Sequence, residues 1–193
     1  MLICVTHRLL CPDDFLARLS RIAAQRPHAI VLREKDLSEA EYEALARECL
    51  AICRRYDVPL NVNTHIEVAR RIGCGGVHLP FRLLMEQRDA LGDFARVGVS
   101  LHAPEEAAQL AGTPATYVQA GHVFPTDCKA GVPPRGLSFL RSVCQATRLP
   151  VFGIGGMTAA RYPAVRETGA AGVCIMSGLM TRQNVADTMR PFV

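Results

Sequence analysis

The segment from residue 121 to residue 136 carries the side chains most suited to chemistry. His122 follows directly on an apolar run, and an imidazole can accept and return a proton near neutral pH. Thr126, Lys129 and Arg135 add a hydroxyl and two positive charges that suit an anionic ligand. We therefore expect a proton carrier beside an anion site, the alternative being that His122 only anchors a loop.

Two glycine-containing segments follow the last two apolar runs. Gly155 and Gly156 stand after the seventh run, and Met176 ends the eighth, followed by Ser177 and Gly178. Glycine lets the backbone approach a ligand closely, and amide groups at a helix start carry partial positive charge. These segments predict a phosphate site, although the glycines could instead serve only to turn tight loops.

Two cations follow the second apolar run. Arg33 and Lys35 stand two residues apart, so both project to the same side of an extended chain and could meet one anion. An ion pair with Glu34, with Asp36 or with a neighbouring strand accounts for them equally well, because cations at buried strand ends need partners.

Three histidines, His78, His102 and His122, lie at or near the ends of separate runs. Three imidazoles could complete a zinc site, but no Asp-x-Asp or His-x-His pattern accompanies them, and we expect no metal. His78 stands inside an apolar run, where a hydrogen-bonded core role is natural. Asn63 could hydrogen-bond a heterocyclic ring or hold a loop.

Eight short apolar runs recur along the chain, and their nearly continuous hydrophobicity is typical of parallel strands buried on both faces. The predicted strands are residues 2–5, 29–32, 58–62, 76–79, 97–101, 116–120, 150–154 and 172–176. Helical patterns separate them, which predicts an α/β fold: a (β/α)8 TIM barrel, with a doubly wound open sheet as the alternative. In a barrel the polar residues named above would meet at the carboxyl ends of the strands.

Helix start and stop signals lie between the runs. Ser38 and Glu41 form a capping box whose helix should reach about Tyr56, and Pro104 should begin another helix. Further expected boundaries are N-caps at Thr158 and Asn184 and helix ends at Gly73, Gly112 and Gly169.

Composition limits the class of protein. A length of 193 residues with 49% hydrophobic side chains suits one domain over residues 1–193. The net charge of +4 is small and the cations are scattered, which argues against a nucleic-acid partner. No apolar run approaches the ~20 residues that span a bilayer, and no secretory pattern starts the chain, so we expect a cytoplasmic protein. The sequence leaves the oligomeric state open, including a homo-oligomer.

Along nearly its whole length the chain resembles the thiamin phosphate synthase superfamily, and within it the TenI-type thiazole tautomerases. Six motifs in order carry the resemblance: residues 32–35, 76–79, 98–102, 121–136, 153–157 and 176–178. Gly-His-Val-Phe at 121–124 and Thr-Asp-Cys-Lys at 126–129 indicate the tautomerase branch. The resemblance implies an isomerase without a cofactor, in which His122 is the catalytic acid and base that moves a ring proton to aromatise a carboxythiazole phosphate.

The resemblance also implies binding roles for a small-molecule thiazole phosphate. The implied phosphate-binding positions are Gly155, Gly156, Met176 and Ser177. The positions implied for the carboxylate are Lys129, Arg33 and Lys35, and those implied for the ring are Ser100 and Asn63.

The chain departs from the synthases at their magnesium site. Synthases that resemble it carry Asn-Asp-Arg after strand three and acids after strand four, where Asp residues hold the magnesium that neutralises a pyrophosphate leaving group. Here those places are Asn63-Thr64-His65 and Leu79-Pro80-Phe81-Arg82, which offer no carboxylate to a metal that prefers hard oxygen ligands. We therefore expect the tautomerase; the alternatives are a magnesium-dependent thiamin phosphate synthase and a non-catalytic regulatory protein that binds a thiamin precursor.

Overall fold

The computed structural model describes residues 1–192, in which eight parallel strands close into a barrel. The strands are β1 (Leu2–Val5), β2 (Ala29–Leu32), β3 (Leu60–Asn63), β4 (Gly76–Pro80), β5 (Arg96–Leu101), β6 (Tyr117–Gly121), β7 (Val151–Ile154) and β8 (Gly172–Ile175). Each strand pairs with its neighbours in chain order, and β8 returns to β1, where Ile3 pairs with Cys174. The expected (β/α)8 barrel is confirmed, and the β1–β8 pairing excludes the open sheet.

Helices join the strands and cover the outside of the barrel. They are α1 (Phe15–Ala24), α2 (Glu39–Arg55), α3 (Ile66–Arg71), α4 (Phe81–Gln87), α5 (Pro104–Ala108), α6 (Gly136–Ala146), α7 (Tyr162–Arg166), α8 (Ser177–Thr181) and α9 (Val185–Met189). Short 3₁₀ turns lie at Arg8–Leu10, Arg88–Ala90, Asp127–Lys129 and Ala159–Arg161. Because α5, α7 and α8 have only five residues each, eight units fit into a chain shorter than most barrels.

Local sequence signals account for several helix boundaries. The capping box before α2 forms as expected, since Ser38 and Glu41 exchange side-chain to backbone hydrogen bonds. Asn184 caps α9 by accepting from the Asp187 amide over 3.1 Å. Thr158 differs from expectation: it precedes a 3₁₀ turn, and its side chain makes no capping hydrogen bond. Gly73, Gly112 and Gly169 lie in the turns that follow α3, α5 and α7, as expected.

The predicted strand bounds hold to within two residues. The largest difference is at β3, which begins at Leu60 although the apolar run begins at Val58. Pro59 lies between them and has no N–H to donate to a neighbouring strand, so the ladder starts after it.

Apolar side chains fill two separate spaces. Strand residues that face outward, such as Val62, Val99 and Ala120, are fully buried in the larger core shared with the helices. A smaller apolar cluster fills part of the barrel interior and consists of Ile3, Val5, Ala29, Val31, Tyr117, Phe152 and Cys174. Within residues 1–192, no helix has the length and hydrophobicity needed to cross a bilayer.

Candidate active site

The loop between β6 and α6 is anchored at both ends on the barrel. At its start, the Val123 amide donates to the Ile154 carbonyl over 2.8 Å. At its end, the Arg135 amide donates to the His122 carbonyl over 2.9 Å, and the Gly136 amide donates to the Val123 carbonyl over 3.0 Å. Residues 124–134, which we call the rim loop, therefore leave and rejoin the barrel at one point beside the end of β6.

The His122 side chain is held by the rim loop. The residue is only 9% exposed, and its Nε2 lies 3.2 Å from the Val132 carbonyl oxygen. A carbonyl oxygen can only accept, so Nε2 is the donor of this hydrogen bond. The peptide bond between Gly121 and His122 is cis. His122 thus links the strand end to the rim loop.

The two glycines after β7 pack directly against the rim loop. Gly155 and Gly156 have φ angles of +98° and +61°, in the region that favours glycine. A Cβ on Gly155 would collide with the Cβ of His122, and a Cβ on Gly156 would lie 2.5 Å from the Pro125 carbonyl oxygen. The amide groups of both glycines donate to no backbone carbonyl within residues 1–192, which leaves them available to an anion.

Arg161 holds this glycine turn in place. Its Nη1 donates to the Gly156 carbonyl over 2.6 Å, and its guanidinium lies 4.7 Å from the centre of the Phe124 ring. Sequence reasoning missed this residue. An arginine after a glycine turn looks like an ordinary surface residue in the sequence, and only the fold shows its contacts with Gly156 and Phe124. Arg161 ties the β7 loop to the rim loop.

The second glycine-containing segment lies at the neighbouring strand end. Met176 faces the barrel interior, where it packs against the smaller apolar cluster, and Ser177 begins α8. The amides of Ser177 and Gly178 belong to the first turn of α8 and have no intrahelical acceptor. The barrel thus places both predicted phosphate segments at the ends of adjacent strands β7 and β8.

Three cations act on one another at the same end of the barrel. Arg33 and Lys35 follow β2, and Lys129 lies in the rim loop. The positive charge of Arg33, partial burial and the positive charge of Lys129 together hold the pKa of Lys35 below its ordinary value. Within residues 1–192 none of the three forms an ion pair. Unpaired cations that repel one another favour an anionic ligand.

The acids that could have paired with these cations are occupied elsewhere. The buried Glu34 carboxylate accepts from the Thr6 hydroxyl over 2.6 Å and from the Arg8 amide over 2.9 and 3.0 Å. Asp36 pairs with the Arg8 guanidinium over 2.7 Å. The ion-pair explanation of Arg33 and Lys35 is therefore wrong. Glu34 and Asp36 are bound by residues that follow β1.

A column of four polar side chains crosses the barrel interior, and we call it the interior column. Asn61 Nδ2 donates to the Tyr117 hydroxyl over 2.9 Å, which lies 2.8 Å from His78 Nδ1. His78 Nε2 lies 2.7 Å from the hydroxyl of Ser100, the half-buried member at the mouth. Burial, with a smaller contribution from the positive charge of Arg33, lowers the pKa of His78 to about 3. The expected hydrogen-bonded core role of His78 is confirmed.

Sequence reasoning missed Asn61 and Tyr117. The signal that could have found them is a polar residue every second position, at Asn61 and Asn63 and again at Tyr117 and Gln119, because alternate strand residues face the barrel interior. Asn63 itself is 9% exposed, and its side-chain Nδ2 donates to the Thr64 hydroxyl over 3.5 Å.

The residues at the strand ends do not fit a magnesium site of the kind that the synthases carry. Magnesium requires carboxylate or other hard oxygen ligands, and Glu34, the acid next to Arg33 and Lys35, already accepts three hydrogen bonds. In the described part of the chain no group of three His, Cys, Asp or Glu side chains could hold a metal. His102, one of the three histidines considered for a zinc site, is exposed, and its Nδ1 lies 3.0 Å from the Gly121 carbonyl oxygen.

Known proteins resemble the chain over most of its length. The family model described as thiamine monophosphate synthase matches residues 2–179. A thiamine-phosphate synthase of Clostridium acetobutylicum is 32% identical over 163 residues, covering 83% of this chain and 77% of that protein. Another, of Alkaliphilus oremlandii, is 31% identical over 179 residues, covering 90% and 84%. A probable thiamine biosynthetic bifunctional enzyme of Oryza sativa subsp. japonica is 37% identical over 167 residues, but the chain spans only 30% of its length.

A solved structure agrees with these matches. The thiamine phosphate pyrophosphorylase from Pyrococcus furiosus superposes with a TM-score of 0.84 and 25% sequence identity, covering 98% of this chain and 92% of that one. The similarity therefore extends over the whole barrel.

The relatives overturn the expected isomerase. The Clostridium and Alkaliphilus relatives are named thiamine-phosphate synthases, which are transferases, so the tautomerase expectation is wrong. The resemblance implied that His122 shuttles a proton in the isomerase reaction, so this role is no longer supported once the isomerase is rejected. The motifs from residue 32 to residue 178 nevertheless indicated the right superfamily: the chain belongs to the thiamine monophosphate synthase family.

Proposed function

We propose that this protein binds a thiazole phosphate at the mouth of the barrel and transfers a pyrimidinylmethyl group to it, as the name of its synthase relatives implies. The product, thiamine phosphate, joins a pyrimidine through one methylene carbon to a thiazolium ring that bears a phosphate ester. The observation that carries the proposal is the group formed by Arg33, Lys35 and Lys129, which depresses the pKa of Lys35 and has no acidic partner within residues 1–192.

The proposed reaction is a displacement of diphosphate. A bond forms between the thiazole nitrogen and the methylene carbon, while the bond from that carbon to a diphosphate oxygen breaks, and the electron pair leaves with the diphosphate. Negative charge accumulates on the leaving group, and fixed cations stabilise such charge. The residues at the strand ends do not fit a magnesium ion. In its place, three positive charges stabilise the leaving group, those of Arg33, Lys35 and Lys129.

The remaining site residues position the thiazole phosphate. Gly155 and Gly156 offer amide groups to its phosphate, and Met176 and Ser177 close the neighbouring side. Asn63 and Ser100 lie at or next to the ends of β3 and β5, and we assign them to the rings. The attacking nitrogen carries no proton, so the displacement requires no acid or base, and His122 serves to hold the rim loop through Val132.

A second function is favoured by one observation: Asn63-Thr64-His65 and Leu79-Pro80-Phe81-Arg82 offer no carboxylate where the synthases hold magnesium. A barrel that keeps the cations and the glycine loops but lacks the metal ligands could bind a thiamin precursor without converting it. In that case the protein would act in regulation rather than catalysis.

The experiment that separates the two functions combines calorimetry with a product assay. Thiazole phosphate is titrated into the protein, and thiamine phosphate formation from pyrimidinylmethyl diphosphate is followed after oxidation to fluorescent thiochrome. Each assay is run with added magnesium and with excess chelator. Binding with turnover in both conditions supports the transferase, binding without turnover in either supports the regulatory protein, and absence of binding rejects both. Turnover only with magnesium would reject the role given to the cations.

A further inference from the structure

The peptide group between Leu32 and Arg33 is held by side-chain hydroxyls on both of its sides. Its carbonyl oxygen accepts a hydrogen bond from the Tyr42 hydroxyl over 2.6 Å. Its N–H donates to the Thr6 hydroxyl oxygen over 3.0 Å. Thr6 follows β1 and Tyr42 lies on α2, so the two hydroxyls reach this peptide group from different elements. We call Thr6 and Tyr42 the hydroxyl clamp.

Each hydroxyl of the clamp also binds a second group. The Tyr42 oxygen accepts from the Asn63 amide over 3.1 Å, which connects the ends of β2 and β3. The Thr6 hydroxyl donates to the Glu34 carboxylate over 2.6 Å. A hydroxyl has one hydrogen to donate, and both residues use that hydrogen together with an oxygen lone pair. The hydroxyl clamp therefore holds the residues before and after Arg33.

The clamp begins where the regular pairing of β1 and β2 ends. The last paired residues are Val5 and Val31, and the Thr6 amide donates to the Val31 carbonyl over 2.9 Å. A regular parallel ladder would next join the Arg33 amide to the Thr6 carbonyl, but the Thr6 hydroxyl accepts this hydrogen bond instead. Thr6 and Tyr42 are both fully buried, so loss of either hydroxyl leaves backbone groups without a partner.

Tyr42 keeps its hydrogen at physiological pH and its ring is fixed. Burial raises the pKa of the Tyr42 phenol well above its ordinary value. The His65 ring packs on the Tyr42 ring with 4.1 Å between the ring centres. The hydroxyl therefore remains a donor directed at the Leu32 carbonyl.

The clamp explains how Arg33 stays beside another cation. Arg33 is half-buried, and its positive charge is the largest influence that holds the pKa of Lys35 below its ordinary value. Like charges repel, so a backbone free to move would let the two side chains separate. Cations that are already in place bind an anion more tightly, because binding then orders fewer groups.

We infer that Thr6 and Tyr42 are positioning residues that hold Arg33 next to Lys35 before an anion binds. Both hydroxyls are buried and bonded within the protein, so they act through Arg33 and not on the ligand. The inference rests on the proposed function for the identity of the anion, a diphosphate, whereas the position of Arg33 is a property of the free protein.

Hydrogen exchange on the free protein tests the clamp without a ligand or a variant. The Arg33 amide lies just after β2, and the Lys35 amide two residues on has no acceptor within residues 1–192. After correction for neighbouring side chains, we expect the Arg33 amide to exchange at least about 100-fold more slowly than the Lys35 amide. Equal rates would overturn the inference, even where a variant does not fold.

Two variants remove one hydroxyl each with little change of shape, Thr6→Val and Tyr42→Phe. Because Arg33 is then free to move away, we expect each to raise the pKa of Lys35 towards its ordinary value. We also expect inorganic pyrophosphate to bind about 3- to 10-fold more weakly, as measured by calorimetry. NMR of ¹³C-labelled lysine measures the pKa in a Lys129→Arg background, which keeps the charge and leaves Lys35 as the only lysine.

Matched controls remove the same hydroxyls elsewhere. The Tyr56 hydroxyl, after α2, lies 3.1 Å from Ser20 Oγ, and the buried Thr168 hydroxyl donates to the Val165 carbonyl over 2.6 Å. Tyr56→Phe and Thr168→Val should change neither the Lys35 pKa nor the affinity for pyrophosphate. Controls that matched the clamp variants in both measurements would show a general loosening of the barrel and overturn the inference.

The outcomes separate this inference from the proposed function. An unchanged Lys35 pKa in both clamp variants, or no pyrophosphate binding by the unaltered protein, rejects the clamp even if the protein forms thiamine phosphate. A raised Lys35 pKa with weaker pyrophosphate binding supports the clamp even if no thiamine phosphate is formed. Absence of turnover then rejects only the transferase.

Discussion

Gly155 packs directly against His122 at the mouth of the barrel, so that a Cβ added to Gly155 would lie only 2.9 Å from the His122 Cα. The Gly155 φ of +98° adds backbone strain to this overlap. We expect Gly155→Ala to displace His122 and the rim loop, to lower the free energy of unfolding by about 2–4 kcal/mol and to weaken thiazole phosphate binding at least about tenfold. Urea denaturation and calorimetry measure the two effects.

Gly112→Ala is the matched control. Gly112 has a φ of +76°, but a Cβ there would have no neighbour within 4 Å among residues 1–192. This variant should lose about 1–2 kcal/mol of stability and no affinity. Equal affinity of Gly155→Ala and the unaltered protein would contradict the placement of the phosphate near the β7 loop.

Removing the Lys129 charge should raise the pKa of Lys35. Lys129 and Arg33 both hold that pKa down, so Lys129→Met leaves Lys35 with one repelling neighbour fewer. The same variant should weaken inorganic pyrophosphate binding, and the difference should shrink as salt is added. NMR titration of the two lysines measures the pKa, since Lys35 and Lys129 are the only lysines of the chain.

Arg148→Met removes one positive charge from the exposed surface just before β7, at the opposite end of the barrel. This control should change neither the Lys35 pKa nor pyrophosphate affinity. If it matched Lys129→Met, the effect would be one of net charge, and the local cation group would be refuted.

His78 should make the protein less stable as the solution becomes more acidic. The pKa of His78 is about 3 in the folded protein and about 6.5 in an unfolded chain, so between these values only the unfolded state binds the proton. Stability is therefore fully present above about pH 6.5 and falls as the pH is lowered, by up to about 1.4 kcal/mol per pH unit. Urea denaturation between about pH 4.5 and 6.5 measures this slope.

His78→Gln should reduce the dependence of the free energy of unfolding on pH by the contribution of one titrating group, up to about 1.4 kcal/mol per pH unit. Burial also lowers the pKa of His28, which titrates in both proteins and leaves part of the slope in place. Identical slopes for the two proteins would show that His78 is not held neutral by the fold.

Glu34 should behave as a structural acid. Glu34→Gln weakens three hydrogen bonds from Thr6 and Arg8 to a buried carboxylate, and we expect a loss of about 1.5–3 kcal/mol in the free energy of unfolding. Asp36→Asn, the control on the same segment, breaks only a surface pair and should cost at most about 1 kcal/mol. Magnesium should stabilise neither protein; a magnesium-dependent rise in stability that Glu34→Gln abolishes would make Glu34 a metal ligand.

Much of the fold follows from local patterns in the sequence. Strands such as β2 and β8 are buried on both faces, so their hydrophobicity is continuous and their bounds are easy to place. The capping box at Ser38 and the glycines at 155 and 156 depend on backbone conformation that neighbouring residues decide, and these too were predictable.

Features that depend on contacts between distant strands were not predictable. The Arg8 amide and guanidinium bind Glu34 and Asp36, which leaves Arg33 and Lys35 without an acidic partner in the described part of the chain, and no pattern within residues 33–36 reveals that competition. The column from Asn61 to Tyr117 joins residues 56 positions apart. The isomerase expectation rested on the motifs at residues 121–129 and on the absence of carboxylates at residues 63–65 and 79–82, and the relatives named thiamine-phosphate synthases contradict it. A histidine at a strand end suits many reactions and does not by itself specify one.

The space that a side chain at Gly76 or Gly98 would need is filled by polar atoms of Asn61, His78 and Tyr117. A substitution inside this barrel therefore changes the packing and the polar contacts together. Losing the Tyr117 or Asn61 side chain would leave a hole, whereas adding a methyl group at either glycine would displace the polar partner. Residues 61, 76, 78, 98 and 117 therefore act as one unit under substitution. A route from this polar interior to an all-apolar one passes through intermediates that are either overfilled or hollow.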